Sequence, residues 1–433
     1  MSWSDPFGDD CDLLYNPLGG FRRSPAAISG AIYAVRTRQG REKETRQVIE
    51  LLYELDEEKT LFRKSVRDFS EQVIRPQVEQ MWETGEFPYD IVRQMGDLGI
   101  MGVPFPEEYG GAGGDYLAYA IAVEELARVD GSCAITVEAH ISLGTAPFYY
   151  FGTEEQKKEW LVPLAQGKLL ASFGLTEPEA GSDAGNTQTK AELVNGEWVI
   201  NGTKCFITNP GTEMSGVVTL TVVTGVRPNG KKEISNIFVP KGTPGYNIAP
   251  KYKKMGWHAS DTRELNFDDC RVPEANLIGR RGEGFSQFMD LLDGGRIAIA
   301  GLAVGTAQGC LDECMKYSKE RVQFGQPLAK FQAIQFKLAD MATNIELART
   351  LTYKAAAMRD AGVPHTKEAA MAKLFASEMC MQAATQAVQV HGGYGYIDEY
   401  AVSRFFRDAK ILEIGEGTSE VQRMVIAREI GLR

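Results

Sequence analysis

Two segments of the chain combine residue types that could bind a planar or phosphorylated cofactor. Residues 173–185 (FGLTEPEAGSDAG) join a short β-like start to a Gly-Ser-Asp turn, which offers main-chain N–H groups and a hydroxyl without bulky side chains. Residues 204–209 (KCFITN) place an aromatic, a β-branched and a hydroxyl side chain on one strand, where they could cover a ring and bond its polar edge. Each segment alone fits a β-domain loop or a core strand equally well.

A third candidate is a single carboxylate near the C-terminus. Glu416 stands in the run ILEIGEGTSEV, and a positioned carboxylate can act as a general base. The competing interpretation is a solvated helix-cap carboxylate ahead of Gly417 and Thr418. The residue type alone does not separate the two.

Other reactive residue types favour structural interpretations. His391, beside two glycines, is interpreted as a loop imidazole rather than a general base. The glycine-rich loop 109–116 lacks the Lys-Ser/Thr pair of a P-loop, so we interpret it as a surface loop. The seven cysteines are scattered and lack C-x-x-C spacing, which is typical of free thiols in a reducing cytosol. Cys310 and Cys314 have no histidine nearby and are predicted to be core residues, so no metal site is predicted.

Bulk properties exclude several classes of function. The chain has 433 residues and a formal net charge of -11, and an acidic protein repels phosphate backbones, so nucleic acid is not predicted as a partner. No stretch reaches the ~18 apolar residues of a membrane span. The N-terminal residues MSWSDPFGDDCD have no apolar core of a signal peptide.

Composition changes along the chain predict an α+β protein with four parts. Residues 1–50 are interpreted as a partly disordered N-terminal extension, and residues 55–170 as an α-helical domain with helical spacing of apolar residues. Residues 171–281 are rich in Thr, Val and Ile, and their three Asn-Gly pairs, at 195–196, 201–202 and 229–230, are interpreted as turns of a β-barrel or sandwich. Residues 282–433 return to amphipathic patterns typical of a four-helix bundle.

The segment GWHASDTRELNFDDCRVPEANLIG (256–279) resembles a stretch that closes the β domain in acyl-CoA dehydrogenases. Residues 173–185 and 204–209 then match the flavin-binding strands of that family, in the right order. Segments 320–342, 387–400 and 407–430 resemble its C-terminal motifs, so the likeness runs from about residue 56 to 433. LLDGGRIAIAG is most similar to short-chain, butyryl-type members.

The resemblance implies an FAD-dependent dehydrogenation of an acyl-CoA thioester to a trans-2-enoyl-CoA, as in β-oxidation of fatty acids. A base removes the α-proton and flavin N5 accepts the β-hydride. It also implies electron-transferring flavoprotein as acceptor, a homotetramer built as a dimer of dimers, and a cytoplasmic location, or the mitochondrial matrix in a eukaryote. The alternatives are the enoyl-CoA reductase direction and another flavin enzyme of the same fold. A non-enzymatic nucleic-acid-binding flavoprotein would require a basic face, and the C-terminal tail is balanced in charge.

Within the resemblance, Glu416 matches the catalytic base. A minority of members place the base on the first helix of the bundle, where this chain has Gly295, which cannot act as one. Enclosure by acyl chain and flavin should raise the pKa of the Glu416 carboxyl. The main-chain N–H of Glu416 is expected to polarise the thioester carbonyl together with a ribityl hydroxyl.

The resemblance also implies binding residues for FAD and substrate. Arg321 is expected to pair with the pyrophosphate. The implied FAD contacts within one subunit are Phe173, Leu175, Thr176, Gly181, Ser182, Phe206, Ile207 and Thr208; those made to the FAD of a neighbouring subunit are Arg321, Gln323, Phe324, Gln389 and Gly393, and those made to its adenosine part are Thr418 and Glu420. The implied substrate-binding residues are Ser182, Asp293, Arg296, Gly415 and Glu416.

Two departures from the family pattern bear on specificity. Phe206 stands where members often have Trp, which keeps the ring cover but loses the N–H. Gly415 stands where many straight-chain members have Tyr, which predicts a wider pocket for longer, branched or ring-bearing acyl groups. This conflicts with the butyryl-type likeness of the bundle, so the acyl group stays open.

Overall fold

The computed structural model describes residues 55–432. The N-terminal extension predicted at residues 1–50 lies outside the described residues. Among the helices of the described part, none combines the length and the apolar character needed to cross a membrane.

The first part of the chain is helical. Asp56 and Asp115 cap the first and fourth helices by accepting hydrogen bonds from Lys59 N and Ala118 N, which satisfies main-chain groups that have no partner within the helix. π-helical turns at Ser70–Ile74, His140–Thr145 and Lys157–Leu161 interrupt the series. The helices are α1 (Glu57–Phe69), α2 (Val78–Thr84), α3 (Tyr89–Asp97), α4 (Tyr116–Ala127), α5 (Gly131–Ala139), α6 (Ala146–Phe151), α7 (Glu154–Gln156) and α8 (Val162–Ala165).

The middle part forms one eight-stranded sheet with the order β6-β7-β3-β2-β4-β5-β8, and β1 pairs with β4 in parallel. Its own core includes Trp198, Ile200, Leu220 and Ile237. The strands are β1 (Leu170–Gly174), β2 (Lys190–Val194), β3 (Glu197–Thr208), β4 (Ser215–Val226), β5 (Lys232–Pro240), β6 (Tyr246–Ile248), β7 (Thr262–Pro273) and β8 (Leu277–Ile278).

Two of the three predicted Asn-Gly turns connect antiparallel strands, and the third is wrong. Asn195-Gly196 links β2 to β3 with both residues at positive φ, and Asn229-Gly230 lies between β4 and β5. Asn201-Gly202 instead lies inside β3, where the register with β7 shifts. Gly202 has φ +147°, and a Cβ there would meet Thr189 at 2.6 Å. The glycine therefore marks a bulge with a close approach of two backbones, which an Asn-Gly pair does not distinguish from a turn.

The C-terminal part is a helical bundle. Its helices are α9 (Gly284–Glu320), α10 (Gln332–Asp360), α11 (Thr366–His391), α12 (Ala401–Ala409) and α13 (Ser419–Glu429), with the short hairpin of β9 (Val322–Gln323) and β10 (Gln326–Pro327) between α9 and α10. Small residues let α9 approach α4 closely: a Cβ would lie 2.9 Å from Ala120 O at Gly301 and 2.0 Å from Glu124 O at Gly305. This packing brings α4, α5, α9 and α11 around the C-terminal turn that holds Glu416.

Candidate active site

Glu416 lies on a left-handed turn between the 3₁₀ turn Lys410–Glu413 and α13. Its φ is +53°, and Gly417 follows at +92°. Gln422 Nε2 donates hydrogen bonds to Glu416 O at 3.1 Å and to Gly417 O at 2.9 Å, and Lys373 Nζ donates to Gly417 O at 2.7 Å. Thr418 caps α13 by accepting from Val421 N. A residue other than glycine keeps a positive φ only when surrounding contacts stabilise it. Here the stabilising contacts are the hydrogen bonds to the carbonyl oxygens of Glu416 and Gly417.

The Glu416 carboxyl packs directly against Gly295 of α9. A Cβ built on Gly295 would lie 2.2 Å from Glu416 Oε2, so no residue larger than glycine fits without moving the carboxyl. The two positions that carry the base in different members of the resembled family thus meet at one point in space. The missing side chain of Gly295 provides the space that the Glu416 carboxyl fills.

Burial sets the acidity of Glu416. The residue as a whole is half-buried, but Oε2 is shielded from solvent and has no hydrogen-bond partner within residues 55–432. Burial raises the pKa of the Glu416 carboxyl to about 7, opposed by a hydrogen bond from Glu138 and by the charges of Lys373 and Arg296. Such a pKa gives a carboxylate that is a stronger base than one in water. The predicted rise in the Glu416 pKa therefore agrees with the environment of the carboxyl.

A second buried carboxyl, Glu138 of α5, faces Glu416. Burial and the adjacent Glu416 raise the pKa of Glu138 well above its usual range. Ser142 Oγ donates to Glu138 Oε1 at 2.6 Å from the π-helical turn that follows α5. Burial and the charge of Glu416 favour the protonated form of Glu138, and a proton on Glu138 favours the ionised form of Glu416.

The main-chain N–H of Glu416 is free in the described part of the chain. Ile414 N and Gly415 N both donate to Ile411 O, whereas Glu416 N donates no hydrogen bond within residues 55–432. A Cβ at Gly415 would meet only Ile411 O, at 3.6 Å. Space for a side chain therefore exists beside this N–H.

An ion pair on α9 lies next to Gly295, the residue that contacts the Glu416 carboxyl. Arg296 Nη1 donates to Asp293 Oδ1 at 2.7 Å, and Thr366 of α11 donates to the other carboxylate oxygen of Asp293. Burial lowers the pKa of Arg296, and the positive charge of Arg296 in turn lowers the pKa of Glu416. The structure thus brings together Glu416, Gly415, Arg296 and Asp293 of the predicted substrate-binding residues. Ser182 lies separately, exposed on the loop after β1.

The two segments proposed to bind a flavin meet at the edge of the sheet. Cys205 N donates to Thr176 O at 2.8 Å. The buried Lys204 ammonium donates to Leu175 O at 3.0 Å and to Glu177 Oε1 at 2.6 Å, which fixes the loop after β1 against β3. The Lys204 ammonium and bonds from Thr187 and Thr189 hold the pKa of Glu177 at about 2, despite burial.

Within this edge, Phe206 is turned outwards. The register of β3 shifts between Lys204 and Ile207, Phe206 has φ +61°, and 66% of it is exposed. Ile207 is buried in the core, and Thr208 ends the strand. Phe173, by contrast, packs on Phe288 of α9 with ring centroids 5.5 Å apart. A Cβ at Gly181 would meet nothing within 4 Å, so the loop is open on that side.

The residues predicted to reach the FAD of a neighbouring subunit lie near the C-terminal end of α9. A cavity of about 500 Å³ is lined by residues from the end of α9, the β9 hairpin and the turn after α11, including Arg321, Gln323, Gly392, Gly393 and Tyr394. Within residues 55–432 Arg321 forms no ion pair, and its guanidinium lies 5.3 Å from the centroid of the Tyr394 ring. Phe324, with φ +51°, is 94% exposed. Gln389 is exposed on the last turn of α11.

Thr418 and Glu420 lie beside the turn of Glu416 rather than in that cavity. Main-chain bonding at the first turn of α13 lowers the pKa of the exposed Glu420, which fits a carboxylate at a helix N-terminus. Of the alternatives, His391 is buried and its Nδ1 donates to Ala387 O at 2.9 Å, and Cys310 and Cys314 are buried core residues. No group of metal-binding side chains occurs within the described residues.

The structure adds residues that the sequence did not single out. Glu138 and Lys373 act on Glu416 and Ser142 bonds to Glu138, and all three are buried in helices or helical turns. The only available signal is that Glu138 and Lys373 stand among apolar neighbours, in AITVEAHI and AMAKLFA. Buried charged residues without a partner are rare, so such positions suggest a site.

Comparisons with known proteins agree with this geometry. Models of the N-terminal, middle and C-terminal domains of acyl-CoA dehydrogenase match residues 56–168, 172–270 and 282–431. The chain belongs to the acyl-CoA dehydrogenase family. It is 56% identical over 378 residues to a probable acyl-CoA dehydrogenase of Bacillus subtilis, covering 87% of this chain and 99% of the relative.

Two further relatives of this acyl-CoA dehydrogenase are named as short-chain enzymes. The short-chain specific acyl-CoA dehydrogenase of Clostridium acetobutylicum is 48% identical over 378 residues, covering 87% of this chain and 99% of that one. The structure of butyryl-CoA dehydrogenase from Megasphaera elsdenii is 45% identical with a TM-score of 0.85, covering 88% of this chain and 100% of that one. The predicted order of helical domain, β domain and helical domain is confirmed.

Membership makes this chain a flavin-dependent oxidoreductase with FAD as its cofactor. The residues in the described part of the chain fit FAD. An outward-turned aromatic ring at Phe206, open glycines at Gly181 and Gly393, and the unpaired guanidinium of Arg321 within the described residues match a planar ring joined to a pyrophosphate.

Proposed function

We propose that Glu416 is the catalytic base of an acyl-CoA dehydrogenase and that it removes the α-proton of an acyl-CoA thioester. One observation carries the assignment: the carboxyl occupies the space left by Gly295, the rival position for a base, at 2.2 Å from where a Cβ would stand. The pKa of about 7 supports the same role because the carboxylate is present near neutral pH and is still basic.

Different groups of this chain have different roles around the substrate. The free N–H of Glu416 is placed to donate to the thioester carbonyl, which acidifies the α-carbon. Arg296, held by Asp293, adds positive charge on the same side. After proton transfer the neutral Glu416 carboxyl stays shielded from water among α5, α9 and α11, so the proton does not exchange readily.

FAD would be held by two sets of residues. Phe173, Leu175, Thr176, Gly181, Ser182, Phe206, Ile207 and Thr208 would bind the flavin at the sheet edge. Arg321, Gln323, Phe324, Gln389 and Gly393 would bind the FAD of a neighbouring subunit, with Thr418 and Glu420 near adenosine. When bound, the flavin accepts the β-hydrogen of the substrate as hydride. Arg321, Gln323 and Gly393 of this set line an open cavity, which supports the proposal of a tetramer in which each site needs two subunits.

We propose electron-transferring flavoprotein as the acceptor, because the dehydrogenation direction needs an oxidant and relatives are named as dehydrogenases. We also propose a location in the cytoplasm of a bacterium or archaeon, or in the mitochondrial matrix of a eukaryote. A short acyl group is the first candidate substrate, since two relatives carry short-chain or butyryl names. The space beside Gly415 supports a broader range that includes branched groups.

The test mixes the FAD-loaded protein anaerobically with a panel of acyl-CoA thioesters, straight, branched and ring-bearing, and follows the loss of flavin absorbance. Rapid bleaching by one class identifies the acyl group. Glu416→Gln keeps the shape of the side chain but removes the base, so bleaching should slow by at least about a thousandfold. Bleaching of the mutant at the wild-type rate would refute the assignment of the base.

A further inference from the structure

Lys373 of α11 is a fully buried cation that the resemblance did not assign. Its relative exposure is 0%, and its ammonium makes one hydrogen bond within residues 55–432, to Gly417 O at 2.7 Å. Burying an ammonium is costly unless it is compensated by hydrogen bonds or opposite charge. The position of Lys373 therefore calls for an explanation in the turn that it contacts.

The contact fixes the turn that carries Glu416. Glu416 and Gly417 both have positive φ, which the chain does not adopt readily at a residue other than glycine. Gln422 donates to the same Gly417 oxygen at 2.9 Å, so that carbonyl is held from two directions. Release of this carbonyl would free the turn that carries both the Glu416 carboxyl and its N–H.

The charge of Lys373 acts on the same carboxyl. Groups from every neighbouring element face Glu416: Glu138 from α5, Arg296 from α9, Lys373 from α11, and the phenols of Tyr116 and Tyr119 from α4. Burial lowers the pKa of Lys373 to about 8, so its ammonium is charged near neutral pH, where Glu416 must be ionised. The charges of Lys373 and Arg296 both lower the pKa of Glu416.

We infer that Lys373 is a positioning residue for the base, which holds the Glu416–Gly417 turn through the Gly417 carbonyl and keeps the Glu416 carboxyl ionised through its charge. The inference rests on the proposed role of Glu416. It separates into two effects, one geometric and one electrostatic, and these respond differently to substitution.

Two variants separate the effects. Lys373→Met removes both the donor and the charge, whereas Lys373→Gln removes the charge and keeps an N–H donor for Gly417 O. In both variants the acid limb of kcat/KM against pH, measured by anaerobic flavin bleaching, should move up by about one pH unit, because the carboxylate loses a stabilising cation. At high pH Lys373→Gln should recover to within about threefold of the wild type, and Lys373→Met should stay at least about tenfold lower because its turn is no longer held.

Lys254→Met is the matched control. Lys254 is half-buried, its pKa is likewise lowered to about 8, and it too donates to a main-chain carbonyl, Ser260 O, at 2.7 Å. It does not act on Glu416. Its variant should lose thermal stability with an unmoved acid limb, which separates loss of a buried lysine from loss of this one. Should Lys373→Met not fold, Lys373→Gln still tests the charge.

A second measurement, which does not depend on turnover, is the infrared band of the protonated Glu416 carboxyl. This band is identified as the one that is lost in Glu416→Gln. It should titrate about one pH unit higher in the Lys373 variants than in the wild type. If the acid limb and the infrared titration of both variants overlie the wild type, the inference is overturned, even where thermal stability falls. Failure of the proposed function would look different: Glu416→Gln would bleach at the wild-type rate while the infrared titration still moved.

Discussion

Gly295→Ala tests the central feature of the site with one methyl group. The new Cβ would lie 2.2 Å from Glu416 Oε2, whereas ordinary contact begins near 3.4 Å, so the carboxyl must retreat by more than 1 Å. The displaced group is the end of a flexible side chain, so the protein should fold. A base misplaced by about 1 Å loses on the order of a hundredfold in rate, or about 2.7 kcal/mol of transition-state stabilisation.

The assay compares single-turnover flavin reduction with thermal unfolding. Alanine is favoured over glycine inside a helix by up to about 1 kcal/mol, so Gly295→Ala should keep the melting temperature while flavin reduction slows. Gly301→Ala on the same helix is the control, because its Cβ would meet Ala120 O at 2.9 Å, far from Glu416. It should lower stability and leave the rate of reduction unchanged. A wild-type rate in Gly295→Ala would refute the idea that the carboxyl acts from this position.

Three further outcomes are expected. The acid limb of wild-type kcat/KM should have its midpoint near pH 7, the pKa of Glu416 in the free enzyme, with activity rising above it; a midpoint near 4.5 would contradict the buried carboxyl. Gly415→Tyr should narrow acyl preference towards short straight chains, measured as the ratio of kcat/KM for a branched and a straight acyl-CoA; an unchanged ratio would remove the wide-pocket argument. Lys204→Met should lower the free energy of unfolding by about 3–5 kcal/mol, because it leaves the Glu177 carboxylate buried and unpaired. It should also weaken FAD retention, measured by ultrafiltration. Stability and retention equal to wild type would refute the role of the Lys204–Glu177 ion pair.

The order of the three structural parts could be predicted because each carries its own local pattern. Asn195-Gly196 and Asn229-Gly230 mark hairpins, and the apolar spacing of 55–170 and 282–433 is helical. Asn201-Gly202 failed as a turn because the same dipeptide serves a bulge when another backbone passes close by. The difference between a turn and a bulge depends on Thr189. This residue is separated from Gly202 in the sequence and comes next to it only when β2 pairs with β3. The domain boundaries at 170/171 and 281/282 stay predictions.

The site residues were predicted by matching them to positions of the resembled family. The residues that surround Glu416 were not predicted. Glu416 and Gly295 stand more than a hundred residues apart, so their contact is a product of packing between α9 and the turn before α13. Glu138 and Lys373 stand among apolar residues, which indicates burial, but only tertiary packing brings them next to Glu416. A sequence therefore identifies the group that does the chemistry before it identifies the groups that set its pKa.

The environment of Glu416 explains why the base stands on a turn rather than inside a helix. A helical residue has its N–H bonded to a carbonyl one turn earlier, so it could not offer both a carboxylate and a free N–H to one substrate. At Glu416 the left-handed φ breaks that pattern: Gly415 N still bonds to Ile411 O, and Glu416 N is released. The cost of the conformation is offset by Lys373 and Gln422 on the following carbonyl groups. Proton removal and carbonyl polarisation thus depend on the same peptide, which is why substitutions that move this turn should damage both at once.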